Sequence, residues 1–295
     1  MRDSFVTQVH EVLRENPALV FLTGDLGFGI FDEIRSDVGS QFINVGVAEQ
    51  NMIGIATGLS LSDKSVFCYS IANFSFMRGL EQFRNGPIYH QSNVTLVCSG
   101  GGFTYGQLGF THFAIEDYGI LSTFPSLEIL HPATSEQVRA CTKYCVASPG
   151  PKYLRLEKAE LAFPARDLID GELGLVLHRR GQSASAILAI GSLLEEAMSA
   201  GDLTDASVYT LVRHGAVESE SVLKELGQFD RLLTIEEHVT RNCVGQKLKA
   251  AGLDVISLTI SDAGPAVVGD QGYLRMLYGL TAHGIVAALE TDSLD

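Results

Sequence analysis

The feature that most constrains this chain is a set of short apolar runs separated by stretches of helical spacing. Residues 19–23, 66–71 and 94–98 are nearly unbroken apolar runs. A strand that is apolar on both faces belongs inside a parallel sheet covered by helices on each side. Extended segments over 127–130 and 153–156 add to the set. Between them lie helix candidates. Phe5, Val9, Val12 and Leu13 recur at helical spacing before Pro17 ends the segment. Further helices are expected over 48–61, 75–89, 115–121 and 135–146, the last capped by Thr134 or Ser135. From 158 to 182 periodicity weakens and charge rises. The alternation then restarts, with apolar runs at 186–190, 207–212, 231–235 and 254–258 and a helix over 193–200. The fold class expected is α/β, in two domains over residues 1–165 and 180–295, each a mainly parallel sheet flanked by helices. A length of 295 residues accommodates two domains. Ligands in such sheets sit beyond the carboxyl ends of the strands.

Composition narrows the function. Hydrophobic residues make up 46% of the chain and charged residues 19%, which excludes a disordered chain. The charge balance is 21 − 35 = −14, so phosphate backbones and anionic membranes are disfavoured partners. Five cysteines, an odd number without a regular framework, fit a reducing cytoplasm better than a disulfide scaffold. Cys141 and Cys145 lie one helical turn apart, but no second pair completes a zinc site, so they are expected to be buried apolar side chains. The first fifteen residues mix charge through their apolar positions and lack the core of a signal peptide. No run of 18 apolar residues is present.

Several residues could carry chemistry. Glu49 stands in Val45-Gly46-Val47-Ala48-Glu49-Gln50-Asn51-Met52, at the start of a helix that follows a strand. It is either a first-turn glutamate favoured by the helix dipole or a carboxyl group in a small-residue pocket. A carboxyl in such a pocket can share a proton with a ring nitrogen. The Gly-rich stretch 99–106 could cradle a phosphate, but no Lys-Ser/Thr follows it, so it is not a P-loop. Gly27-Phe28-Gly29 lacks the third glycine of a dinucleotide fingerprint. His112, on the loop after the Gly-rich stretch, is a polar contact, a proton carrier or a structural residue. Arg155 is either solvated or an anion contact at a strand's carboxyl end. Neither Gly-x-Ser-x-Gly nor His-Glu-x-x-His occurs, which removes two hydrolase classes.

The segment Gly46-Val47-Ala48-Glu49-Gln50-Asn51-Met52 resembles the activating-glutamate motif of thiamine-diphosphate enzymes of the transketolase family. The resemblance covers nearly the whole chain. Residues 74–85 are similar to the family's aromatic-rich helix, and Gly109-Phe110-Thr111-His112 with Ile115-Glu116 to its substrate-histidine loop. Tyr153-Leu154-Arg155 resembles a strand end that supplies a phosphate-binding arginine. Glu236-Glu237-His238 and Tyr278-Gly279-Leu280-Thr281 resemble landmarks of the carboxyl-terminal domain.

The resemblance implies roles. Glu49 would hydrogen-bond N1′ of the cofactor's aminopyrimidine and favour the imino form at N4′, which takes the C2 proton. Phe74 would stack on the pyrimidine with Ile71 beside it, Phe76 replacing Phe74 if the register slips. Asp25 would face the cofactor from the first strand. His112 would contact a donor oxygen, and Arg155 a phosphate. The family holds diphosphate and Mg2+ through Gly-Asp-Gly and a later asparagine. Here Gly24-Asp25-Leu26 lacks the second glycine. Thiamine diphosphate and Mg2+ are therefore expected to be held mainly by a companion chain, in an α2β2 assembly. Two departures bear on the substrate. Leu108 replaces an acidic residue four places before His112, and Gly100 stands where a phosphate-binding histidine is common. A specialised donor is thus expected for a two-carbon ketol transfer. The alternatives are the β subunit of a 2-oxo-acid decarboxylating component and a non-catalytic protein on the same scaffold. His214, His238 and His283 are expected to be structural.

Overall fold

The computed structural model describes residues 1–27, 29–261 and 267–291, so Phe28 of the Gly27-Phe28-Gly29 stretch lies outside the described residues. In the first half, helix α1 (Arg2–Glu15) leads into β1 (Leu19–Thr23), α2 (Asp32–Val38), β2 (Phe42–Asn44) and α3 (Glu49–Ser60). Then follow β3 (Ser65–Ile71), a helical stretch containing α4 (Gly79–Phe83), β4 (Val94–Ser99), α5 (Asp117–Leu121), β5 (Glu128–Leu130), α6 (Ser135–Ala147) and β6 (Lys152–Leu156). The six strands form one parallel sheet in the order β2-β1-β3-β4-β6-β5. β1, β4 and β6 are buried at every position, as helices on both faces require. α1 and α6 cover one face, where Phe5 packs against Phe21, Phe67 and Tyr69. α6 is capped by Thr134, whose hydroxyl accepts from the Gln137 amide at 3.2 Å.

The second half opens with an antiparallel pair, β7 (Asp167–Ile169) and β8 (Leu175–Arg179). It continues as β9 (Ser185–Ala189), α7 (Leu194–Thr204), β10 (Ser207–Leu211), α8 (Glu220–Leu226), β11 (Arg231–Val239), α9 (Val244–Ala250), β12 (Val255–Ile260), α10 (Gln271–Leu277) and α11 (Ala282–Glu290). The second sheet runs β12-β11-β9-β10-β8-β7. β9 to β12 are mutually parallel. Two α/β halves with mainly parallel sheets match the expectation. β7 and β8 belong to the second sheet, which begins at Asp167. β7 is a short, solvated edge strand, and such a strand carries the charged residues of a linker.

Two other differences have local causes. The single helix expected over 75–89 is broken by wide turns at Phe74–Arg78 and Arg84–Ile88, the second containing Pro87, which cannot donate to a regular ladder. α2 and β2 were not expected, because β2 is three residues long and α2 seven. Among the described residues no helix is long and apolar enough to cross a membrane.

Candidate active site

The strand order fixes where a ligand can sit. β1 connects to β2 on one side and β3 connects to β4 on the other, so the sheet's order reverses between β1 and β3. A crevice opens at the carboxyl ends of such a pair. Glu49, the first residue of α3, lies over that crevice and is 1% exposed. Its Oε1 accepts from the Ser70 hydroxyl at 3.3 Å, one residue before the end of β3. Its Oε2 accepts from Arg78 Nη1 at 2.6 Å. On the β1 side stands Gly24, where a Cβ would be 3.8 Å from the carboxylate.

The segment that carries Arg78 packs closely on α3: a Cβ on Gly79 would stand 2.4 Å from Ile53 Cδ1, the end of a flexible side chain. The Arg78 guanidinium carbon is 5.1 Å from the Phe74 ring centroid, within cation–π range. Phe74 is half-buried and meets the His112 ring edge-on at 5.0 Å. Asn73 Nδ2 donates to the Thr111 carbonyl at 2.7 Å, which fastens the His112 loop to the Phe74 turn. The Thr111 hydroxyl lies 3.0 Å from His112 Nδ1. Glu49, Arg78, Phe74 and His112 thus form one chain of contacts, and Arg78 and Phe74 line a groove with Asn73, Phe110 and Glu116. Partial burial pushes the Glu116 carboxyl above its ordinary range.

The remaining expected residues sort by distance from this chain of contacts. Phe76 is 1% exposed and part of the core, so the ring available to a ligand is Phe74. Ile71 ends β3, half-buried. Asp25 holds a left-handed backbone (φ 60), and its carboxylate accepts from Asn44 Nδ2 at 2.8 Å, which turns it toward β2. Leu108 is exposed, as are Val47, Met77 and Phe110.

Arg155 corrects the expectation of a phosphate contact. It is 1% exposed, and its donors face Asp117 (2.9 Å), His131 Nε2 (2.8 Å), Glu157 (3.3 Å) and the Ala114 carbonyl (2.8 Å). An anion entering here would meet two carboxylates. The cluster is instead the seam between the two halves. Glu157 accepts from the Ser192 amide (3.0 Å) and Glu237 from the Phe103 amide (2.9 Å), while Arg275 pairs with Glu237. Gly102 must be glycine for this contact, since a Cβ would fall 1.8 Å from Glu237 Oε2. His131, His214 and His238 gather here with ring centroids 5.7–6.5 Å apart, and burial holds His131 and His214 below the ordinary histidine range. His214 and His238 are buried as expected of structural residues, whereas His283 is exposed. Cys141 and Cys145 are buried, and burial raises both thiols, Cys145 to about 12.

Sequence reasoning missed Arg78, Ser70 and His131. The signal for Arg78 was its place four residues after Phe74, a spacing that brings side chains together on a helical segment. The donor set suits an aminopyrimidine. A buried carboxylate can meet a ring nitrogen, and a half-open aromatic face can carry a flat ring. The flat Arg78 cation, hydrogen-bonded to Glu49 over Phe74, is a stand-in for such a group.

Residues 1–164 match the family model described as transketolase, pyrimidine binding domain. One subunit of the apulose-4-phosphate transketolase of Phocaeicola vulgatus is 30% identical over 297 residues, covering 96% of this chain and 94% of the relative. The 6-deoxy-6-sulfo-D-fructose transketolase subunit SqwH of Clostridium sp. is 28% identical over 302 residues, covering 98% of this chain and 92% of the relative. A solved structure described as a split gene transketolase, inactive beta4 tetramer, aligns with a TM-score of 0.85 at 25% identity, covering 98% of this chain and 96% of that one. The chain therefore belongs to the transketolase family, as the pyrimidine-binding and carboxyl-terminal half of the split form.

Proposed function

We propose that this chain is the β-type half of a thiamine-diphosphate-dependent transketolase that moves a two-carbon ketol unit from a ketose to an aldose. The observation that carries the reading is the buried Glu49 carboxylate at the β1/β3 crevice, beside the half-open face of Phe74. When bound, the cofactor supplies a nucleophilic carbon that accepts the ketol fragment. Glu49 holds the hydrogen bond and proton at N1′ of the aminopyrimidine, out of contact with water. Phe74, with Ile71 beside it, carries the ring face. His112, held by the Asn73–Thr111 contact, donates to an oxygen of the donor substrate. Asp25 lines the same end of the sheet, toward Asn44.

The diphosphate and Mg2+ fall to a companion chain in an α2β2 assembly. Two features support that division: the missing Gly-Asp-Gly motif, and the exposed apolar side chains of Val47, Met77, Leu108 and Phe110, which a second chain would cover. A cytoplasmic setting agrees with five buried, unpaired cysteines.

Substrate choice follows from what is lacking. Leu108 and Gly100 replace two polar contacts, and Arg155 is sealed among carboxylates. The donor is therefore a specialised sugar rather than an ordinary pentose or hexose phosphate. The Phocaeicola and Clostridium relatives carry names of unusual sugars, which agrees. The test is capture of this chain from host lysate with thiamine diphosphate and Mg2+, followed by ketol-transfer assays on what co-purifies. A companion carrying Gly-Asp-Gly and turning over poorly on xylulose 5-phosphate is expected. Return as a lone oligomer that binds the cofactor by itself would contradict the split reading, and efficient xylulose 5-phosphate turnover the substrate reading.

A further inference from the structure

We propose that Arg78 occupies the aminopyrimidine's place before the cofactor arrives, and that its withdrawal from Glu49 and Phe74 is a step of cofactor loading. The proposal rests on the reading of Glu49 and Phe74 as cofactor residues. A carboxylate that is 1% exposed needs a strong partner. Ser70, at 3.3 Å, offers a single neutral bond. The charge-assisted bond comes from Arg78 at 2.6 Å. The same guanidinium lies over Phe74, 5.1 Å from the ring centroid. It therefore engages both groups that the pyrimidine would use, through a flat N–H donor of the same kind. A pyrimidine would compete with the guanidinium for Glu49 Oε2 and for the Phe74 face that Arg78 covers.

Arg78 is also built to leave. Its side chain is 47% exposed, while that of its carboxylate partner is 1% exposed. A guanidinium so placed regains water as it withdraws, so its departure costs less than that of a sealed cation. Glu116 lines the same groove, so the withdrawn cation stays near a carboxyl group. Held in this way, Glu49 is never left buried without a donor in the lone chain, and the site opens only to a ligand that replaces both contacts.

The test uses the full chain, with thiamine as the probe, in calorimetric titrations of wild type, Arg78→Met, Glu49→Gln and the double variant. Methionine keeps the length of the stem and loses the donors. Melting curves establish that each variant is folded, and Arg78→Gln serves in place of Met if that variant is not. A site freed one time in ten binds about tenfold more weakly than one always free, so Arg78→Met is expected to bind thiamine about tenfold more tightly than wild type. The gain is expected to vanish in the double variant. Unchanged or weaker binding on removal of Arg78, including none at millimolar thiamine, overturns the proposal. Binding indifferent to Glu49→Gln in both backgrounds overturns the cofactor reading itself, whatever Arg78 does.

Discussion

Arg78 and Arg155 both meet buried carboxylates, and they behave as opposites. The Arg155 side chain is 1% exposed and faces Asp117, Glu157, His131 and two carbonyls. The Arg78 side chain is 47% exposed and hydrogen-bonds Glu49. In the first case both charges are sealed together, and Arg155 also donates to the Glu237 carbonyl of the second half, so the cluster fastens the seam. In the second only the carboxylate is sealed, so its partner can be exchanged for a ligand. Burial of the acid identifies a costly group in both places. Exposure of the base decides whether that group is a fastener or a site.

The widest separation between the two arginines is expected in stability. Arg155→Met leaves the fully buried Asp117 without its cation and removes one of the partners of Glu157, and such losses cost about 3–5 kcal/mol. Arg78→Met should cost about 1–2 kcal/mol, because water reaches the vacated position. Urea unfolding measures both, and equal losses would erase the distinction. His112→Ala probes the working side. Removing one donor to a developing oxyanion costs about 2.7–4 kcal/mol of barrier, so kcat of the two-chain enzyme should fall roughly 10²–10³-fold. Its urea midpoint should stay near wild type, since His112 touches Phe74 at a half-exposed edge. A lost midpoint with intact turnover would move His112 to the structural side.

The smallest effect concerns pH. Burial holds His131, His178 and His214 below the ordinary value of 6.5. The unfolded chain therefore takes up these protons first as pH falls. Stability is full above about pH 6.5 and declines below it, by up to ~1.4 kcal/mol per pH unit for each histidine. Urea midpoints across that window test the sign. A midpoint that is flat or rises on acidification would mean that the seam histidines are charged in the folded protein.

Much of the fold was legible because burial on two faces leaves a plain signature. The cores of β1, β3, β4, β9, β10 and β11 coincide with the apolar runs. β7 was not legible within the charged stretch 158–182, because an edge strand can be as polar as a loop. In the site, the Glu49 motif was legible through its small neighbours and its place before a helix. The fate of Arg155 was not, because Asp117, His131 and Glu237 come from separate elements far along the chain. A strand-end arginine looks the same in sequence whether it faces an open crevice or a second domain. Arg78 was hidden by the broken helix, whose wide turn sets the side chain over Phe74.

The decisive experiment is Glu49→Gln in the reconstituted two-chain enzyme, with kcat and melting temperature measured together. Glutamine keeps the shape and the Ser70 contact and loses the ionisable oxygen. If Glu49 is the proton-sharing group, kcat falls at least about 100-fold while the melting temperature stays close to wild type. Turnover at the wild-type rate would contradict this role, because the sealed acid at the β1/β3 crevice would then have no part in the chemistry.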